Sequence, residues 1–278
     1  MKKIILSSIV VLLFVVGSGC STDDDFVDSG NEAGWYPSKI TIESQNFTGN
    51  VTTTVVFGYN EKNRLDQMTI QRSKEGVVDL LEDSMVSFSY DSRGRPNEAI
   101  YEYFNVNFTT RIGLAYNSSG IINEIQYTDE NEVHSKIEVD YDDELNTYFI
   151  LDHEKVLPDG RESLSLRFDE FGQLVETTTL NISLIYSYTL AQAGPFSMLI
   201  PQEGLTMLGD LYFLNRTALN FSQGALIEVG VESSGGGIGI GTTYTILNTN
   251  EQGNISELLA EAGFSGSSVY SIQYEFRE

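Results

Sequence analysis

The sequence predicts an all-β protein: an antiparallel meander of about 14 strands, built from repeated hairpins and curled into a barrel-like sheet. Two observations carry this prediction. An aromatic-centred unit recurs about every 25 to 31 residues, and apolar residues occupy alternate positions before each aromatic. No amphipathic helix pattern intervenes between the units. A short apolar stretch near the end of the repeats predicts a helical or irregular cap.

The repeat is clearest around Tyr90, where Val86, Phe88 and Tyr90 alternate with polar residues before Asp91 and Gly94. A period of two is typical of a strand with one buried face. The aromatic position recurs at Tyr59, Tyr90, Tyr116, Tyr141 and Phe168. These aromatics are expected to pack in a core; a row of ligand-stacking rings is the alternative.

Each aromatic is followed by an Asp or Asn and, three residues later, usually by a Gly. The acidic or amide side chain suits the first position of a type I turn, and the Gly suits the left-handed position that starts the returning strand. Asn63 can replace Gly there, but Leu145 cannot do so cheaply, so the fourth turn should differ. The predicted turn-forming residues are Asp91, Gly94, Asn117, Gly120, Asp169 and Gly172.

Residues 1–19 have the pattern of a secretory signal peptide. Lys2 and Lys3 precede an apolar stretch, residues 4–16, that is too short to span a bilayer. The small residues before Cys20 resemble the bacterial lipobox, which implies cleavage between Gly19 and Cys20 and acylation of Cys20. An ordinary signal peptide with an incidental cysteine is the alternative.

Residues 20–34 form a predicted acidic tether. Asp23, Asp24 and Asp25 follow the cysteine after Ser21 and Thr22. The run fits a solvated flexible linker. It also resembles the surface-export signal of Bacteroidota lipoproteins, which would place the protein on the outer membrane, lipid-anchored and facing the cell exterior.

Residues 35–278 are predicted to form the β domain. Hairpin repeats occupy about 51–180, the cap about 191–216 and the closing strands 225–278, although Ser256–Ala262 has spacing that would also fit a helical turn. The tight turns should lie at one end of the sheet and longer, variable loops at the other. Near those loops we expect aromatics that either contact a ligand or cap the core: Tyr101, Tyr103, Phe104, Tyr148 and Phe149.

Composition excludes several functions. The formal net charge of −24 disfavours nucleic acid as a partner. Cys20 is the sole cysteine, and His134 and His153 are the two histidines, so Cys/His metal sites and familiar nucleophilic triads are poorly provided for. No catalytic residue, metal site or cofactor is assigned, and the protein is not expected to be an enzyme.

The chain resembles small Bacteroidota lipoproteins that carry an uncharacterised, porin-like β-barrel domain. The likeness rests on the lipobox cysteine followed by Asp residues, the Tyr-Asp/Asn-x-x-Gly hairpins, and the apolar segment from Pro195 to Leu214 before the last strands. Single hairpins are also loosely similar to YD repeats. The resemblance implies a barrel at the outer membrane and brings no catalytic residues.

Three functional hypotheses follow. The first is a non-catalytic binding module that offers its loops to a glycan, a peptide or an outer-membrane protein; it requires the loops at 73–83 and 153–162 to share one end. The second is a small pore, which requires an apolar outer band and an open polar lumen; apolar packing would oppose it, with the lumen filled by Phe57, Phe88, Leu114, Val139 and Leu166. The third is a hydrolase with two carboxylates roughly 5–10 Å apart.

Overall fold

The structure is a computed structural model of the 278-residue chain. It describes residues 31–46, 49–74, 77–78, 83–104, 108–129, 131, 133–153, 155, 162–180, 182–199, 202–211, 222, 224–233, 238–262 and 266–278. The predicted signal peptide, Cys20, Gly19 and the run Asp23–Asp25 lie outside these residues.

The described part of the chain contains seventeen strand segments and one helix. In chain order they are β1 (Gly34–Asn46), β2 (Gly49–Tyr59), β3 (Leu65–Lys74), β4 (Val77–Val78), β5 (Ser84–Tyr90), β6 (Pro96–Tyr103), β7 (Phe108–Tyr116), β8 (Ile122–Thr128), β9 (His134–Asp142), β10 (Thr147–Leu151), β11 (Ser163–Phe168), β12 (Leu174–Thr179), β13 (Ile182–Ala193), α1 (Gln202–Leu211), β14 (Gly224–Ser233), β15 (Ile238–Thr249), β16 (Ile255–Ala262) and β17 (Gly266–Arg277).

The strands form one closed antiparallel sheet. Each pairs with its neighbours in sequence, and β1 pairs with both β2 and β17, which closes the barrel. The two-residue β4 lies beside the end of β3, which also pairs with β5, so setting β4 aside leaves a barrel of sixteen strands.

The predicted meander and barrel are therefore confirmed, and the strand count of about 14 was slightly low. The helical alternative for Ser256–Ala262 was wrong, because this segment is β16 and pairs with β15 and β17 along its length. Backbone hydrogen bonds on both sides override a local helical spacing.

The barrel has two different ends. We call one the turn end, where the tight turns 60–64, 91–95, 117–121, 142–146, 169–173 and 250–254 lie. The other is the loop end, where the hairpins connect to one another. Both loops singled out in the sequence, 73–83 and 153–162, start and finish at strands that terminate at the loop end.

The turns are held by their first side chain. In the turn after Tyr90, Asp91 Oδ1 accepts hydrogen bonds from the backbone N–H groups of Arg93 and Arg95, each 2.9 Å long, while Gly94 has a φ of 76°. The same position has positive φ in Asn63, Gly120, Gly172 and Gly253. In the fourth turn the positive φ falls on Asn146 instead of Leu145, because a branched apolar residue is strained there.

Tyrosine hydroxyls join neighbouring hairpins, in contacts that we call the tyrosine clasps. Tyr90 donates to the carbonyl of Leu65, the first residue of β3, at 2.7 Å, and Tyr116 donates to Pro96, the first residue of β6, at 2.6 Å. The same arrangement joins Tyr188 to Leu174 and Tyr274 to Ile255. Burial raises the pKa of the Tyr90, Tyr116 and Tyr274 hydroxyls, which therefore stay protonated donors.

An arginine covers some of the clasps. The guanidinium of Arg95 lies 4.0 Å from the centre of the Tyr116 ring and forms an ion pair with Asp91 at 2.6 Å. The Arg95 side chain thus stabilises its own turn and also connects that turn to the next hairpin. Where the repeat has Phe168 in place of tyrosine, Asn146 takes over: its amide accepts from Tyr141 and donates to the carbonyl of Phe168.

The interior of the barrel is apolar and packed. Inward-facing positions alternate with polar outward ones along each strand: in β9, Ile137 and Val139 are buried whereas Lys136, Glu138 and Asp140 are exposed. The five lumen positions that test the pore hypothesis are all buried in one core cluster: Phe57, Phe88, Leu114, Val139 and Leu166. The described interior therefore does not match the open polar lumen that a pore requires.

Helix α1 lies inside the barrel and forms the predicted cap. Four of its apolar residues are fully buried in the core: Leu205, Met207, Leu208 and Leu211. The hydroxyl of Tyr101, on the inner wall, donates to the Leu208 carbonyl at 2.8 Å. Gly204 packs against the Tyr116 hydroxyl so closely that a Cβ would come within 2.7 Å. No helix in the described part of the chain is long and apolar enough to cross a membrane.

Replacing Tyr90 with Phe tests the clasps. The change removes the bond to Leu65 and leaves a carbonyl unpaired, so the free energy of unfolding should fall by about 1–2 kcal/mol. Tyr244→Phe is the matched control: the Tyr244 ring packs on Tyr270, and no clasp to a described carbonyl involves its hydroxyl. Urea denaturation of both variants should show a smaller loss for Tyr244→Phe; equal losses would contradict a stabilising role for the clasp.

Candidate functional site

A polar groove opens on the outer wall at the loop end. It has a volume of about 470 Å³ and is lined by β1, β2 and β17. The lining residues are Glu43, Ser44, Gln45, Asn50, Val51, Thr52, Ser267 and Val269. We call this site the loop-end groove.

The strand register explains how the groove is built. Glu43 pairs across β1 with Thr52 on one side and Val269 on the other. Two residues on, Gln45 pairs with Asn50 and Ser267. Because side chains two residues apart share a face, these residues form two parallel rows on the outside of the barrel.

The layer beneath the rows is fixed by an internal contact. Ser44 alternates with Glu43 and Gln45, and its hydroxyl lies 2.7 Å from the hydroxyl of Ser268 on β17. This hydrogen bond joins strands 224 residues apart in sequence, at the seam where the barrel closes. The groove therefore rests on regular, paired backbone, which favours a preformed binding surface over an adaptable one.

The chemistry of the groove is that of hydroxyls and amides. One carboxylate, Glu43, is present among its lining residues, and none of them is Lys or Arg. Such a surface can donate to and accept from a neutral ligand with many hydroxyl groups. Its described lining residues include no cation that would attract phosphate or carboxylate ligands.

Sequence patterns did not reveal the groove because its residues occupy the polar positions between the apolar ones. The apolar alternation identified the buried face of β2 and left the outer face undescribed. A row such as Asn50–Gln45–Ser267 exists only after the first and last strands pair. The Thr, Ser, Asn and Gln content of the outward positions in these three strands was the available signal.

Of the five aromatics expected at the loop end, some are buried in the structure and others are exposed. Tyr101 is buried in the core, and Tyr148 lies near the turn end with its hydroxyl 3.2 Å from Glu203, so neither forms part of the loop-end surface. Tyr103 is partly buried and stacks edge-on against Phe108. Phe104 and Phe149 are exposed, at 53% and 40% of their surface. Tyr148 and Phe149 differ because adjacent residues of a strand point to opposite faces of the sheet.

The two histidines lie at the loop end, away from any nucleophile arrangement that the described residues show. His134 Nδ1 is 2.9 Å from the hydroxyl of Thr128 across the β8–β9 pair. His153 lies near Glu162, whose pKa is held below its ordinary value chiefly by the hydrogen bond from Lys155. Within the described ranges, no three His, Cys, Asp or Glu side chains come together as a metal-binding group.

Glu203 is a carboxylate whose pKa is shifted in the opposite direction, above its ordinary value. It sits in the first turn of α1, and burial raises its pKa above the ordinary value, an effect that the hydrogen bond from Tyr148 partly offsets. No second carboxylate contributes to this shift. The arrangement is that of a single buried acid that helps to seat the helix, and it differs from the carboxylate pair of a glycoside hydrolase.

Glu203→Gln tests the cost of this buried charge. A folded-state pKa raised above the unfolded value means that the charged carboxylate destabilises the fold at neutral pH and that this cost disappears as the pH falls through the folded-state pKa. The variant should therefore have a higher free energy of unfolding than the natural chain at neutral pH, with the difference shrinking at about pH 4.

Urea denaturation at the two pH values gives the measurement. Glu170→Gln is the control, because Glu170 is exposed in the neighbouring turn, and it should change the free energy of unfolding little at either pH. A loss of stability for Glu203→Gln at neutral pH would show that the Tyr148 bond outweighs the cost of burial.

Comparison with known proteins supports the fold. The structure is similar to a porin-like protein from Bacteroides uniformis, with 16% sequence identity, a TM-score of 0.50, and coverage of 87% of this chain and 98% of that chain. A porin-like protein from Bacteroides vulgatus aligns with 12% identity and a TM-score of 0.41 over 87% of this chain and 99% of that chain.

At this level of identity, the likeness to the B. uniformis protein shows a shared barrel fold and nothing more specific. No protein-family model matches the chain. A comparison with curated proteins likewise finds no match. Function must therefore be inferred from the groove, the packed interior and the point at which the chain enters the barrel.

Proposed function

We propose that this chain is an outer-membrane lipoprotein, anchored through Cys20, whose barrel is a non-catalytic binding module. The ligand that suits the loop-end groove best is a neutral glycan. The observation that carries the proposal is the double row of mainly hydroxyl and amide side chains on the outer wall, with Glu43 and Val269 among them, at the end of the barrel opposite the chain's entry.

The position of the chain ends supports this function. Asn31 hydrogen-bonds to the turn at Lys62, and β1 starts at Gly34 at the turn end. A tether from Cys20 therefore reaches the barrel at the turn end. The loop-end groove then lies on the side wall at the end of the barrel far from the anchoring membrane, where a soluble or surface-bound glycan has access. The export signal at Asp23–Asp25 would place this surface outside the cell.

The packed interior favours binding on the outside over transport through the barrel. Phe88 and Leu166 of the walls and Leu208 of α1 are buried in the same cluster. The outward face mixes polar and charged residues with exposed apolar ones such as Val56, Phe149 and Ile227, and its polar positions interrupt the apolar band that a pore would need. A peptide or an outer-membrane protein remains the alternative ligand, and a hydrolytic activity has no carboxylate pair to support it at Glu203.

Glycan-array screening followed by calorimetric titration tests the proposal. Gln45→Ala should remove about one hydrogen bond, weakening binding by roughly 3- to 10-fold. Gln273→Ala is the matched control: it is an exposed glutamine on the same outer wall, paired with Lys39 and nearer the turn end. It should leave the affinity unchanged. Absence of glycan binding, or equal loss in both variants, would contradict a glycan site in the groove.

A further inference from the structure

The first described residues are fastened to the turn end of the barrel. The backbone N–H of Asn31 donates to the Lys62 carbonyl and its side-chain amide donates to the Asn63 carbonyl, both at 2.9 Å. Cys20 precedes Asn31 by eleven positions, so the chain between them spans at most about 36–40 Å. The chain that leads from Cys20 therefore joins the barrel at the turn end.

The same end exposes large apolar side chains. Leu145 and Phe171 lie in turns and are 57% and 48% exposed, and Phe276, at the end of β17, is 55% exposed. Trp35 is partly buried, and its ring meets Phe276 edge-on with the ring centres 5.6 Å apart. Exposed Trp, Phe and Leu side chains at one rim are typical of surfaces that enter the headgroup layer of a bilayer.

We propose that the turn end docks on the surface of the bilayer that holds the Cys20 lipid. In this arrangement Trp35, Phe276, Leu145 and Phe171 enter the headgroup layer. The inference rests on the lipid anchoring in the proposed function and adds a second contact that fixes the barrel's orientation. The loop-end groove is then held away from the membrane at a defined height.

The charges of the turn end indicate which lipids fit. Asp143 and Glu144 precede Leu145, and Glu170 precedes Phe171. These carboxylates would be repelled by anionic headgroups, as would the chain's net charge of −24. Docking therefore depends on apolar insertion and is directed to a zwitterionic surface.

Exposed apolar residues alone do not select the end that docks. The loop end also exposes Phe104, Val133 and Leu180. What distinguishes the turn end is the attachment of Asn31 there, since a short tether raises the effective concentration of lipid at the rim it enters. An experiment must therefore report which end touches lipid.

Trp35 is the single tryptophan of the chain and provides this report. The full chain, purified from membranes with its lipid, is reconstituted into phosphatidylcholine vesicles with brominated acyl chains, which quench tryptophan at short range. Trp35 emission should fall roughly twofold relative to vesicles without bromine. Leu145→Ser combined with Phe171→Ser should reduce that quenching, since both side chains are exposed and their replacement leaves the core intact.

The matched control moves the reporter to the other end. A Trp35→Phe chain that also carries Phe104→Trp should show little quenching. Quenching of the loop-end tryptophan in place of Trp35 would overturn the docking and the orientation of the groove. If neither is quenched while the chain floats with the vesicles, the barrel stands away on its tether and the docking alone fails. A chain that does not float at all overturns the anchoring and the docking together.

Discussion

A closed sheet of sixteen strands encloses more space than its own inward side chains can fill. Barrels of about eight strands fill their interiors, whereas those of about 16 to 18 strands leave a channel. Here α1 supplies the missing volume, with Leu205, Met207, Leu208 and Leu211 buried against the walls. Many outward positions carry Glu, Gln, Ser and Thr side chains, with exposed apolar residues such as Val56 and Ile227 between them. The inserted helix therefore accounts for the packed interior.

The two ends of the barrel differ in structure: stabilising contacts are concentrated at the turn end, whereas longer loops and the groove lie at the loop end. At the turn end, the tyrosine clasps, the Arg95 stacking on Tyr116 and the seat of Glu203 bind hairpins and helix to one another. The loop end has longer connections and the groove built on β1, β2 and β17. A rigid scaffold that ends in variable loops is the usual arrangement of binding proteins. Under the proposed anchoring at Cys20, the entry of the chain at the turn end would give this asymmetry a direction with respect to the membrane.

Much of the fold could be predicted from the sequence, because period-two alternation and turn chemistry are local properties. The positive φ at Gly94 and its displacement to Asn146 in the fourth turn both follow from residue type. The clasps could not be predicted, since a tyrosine in a repeat does not show which carbonyl its hydroxyl reaches. The groove was also hidden, because Gln45 and Ser267 meet only after the barrel closes. The helical alternative for Ser256–Ala262 failed for another reason: pairing with β15 and β17 on both sides overrides the local helical spacing.

The central claim is that the barrel has a packed apolar interior. The most direct test is to measure whether the chain folds in detergent-free buffer. The chain from residue 20 onward, with Cys20→Ala to remove the lipid, would be examined in detergent-free buffer by size-exclusion chromatography and circular dichroism during urea denaturation. A packed apolar interior predicts a β-rich monomer that unfolds in one cooperative transition. A chain that aggregates in buffer and folds only in detergent would show that the apolar face meets lipid. That result would contradict the claim that α1 and the inward side chains form a packed core.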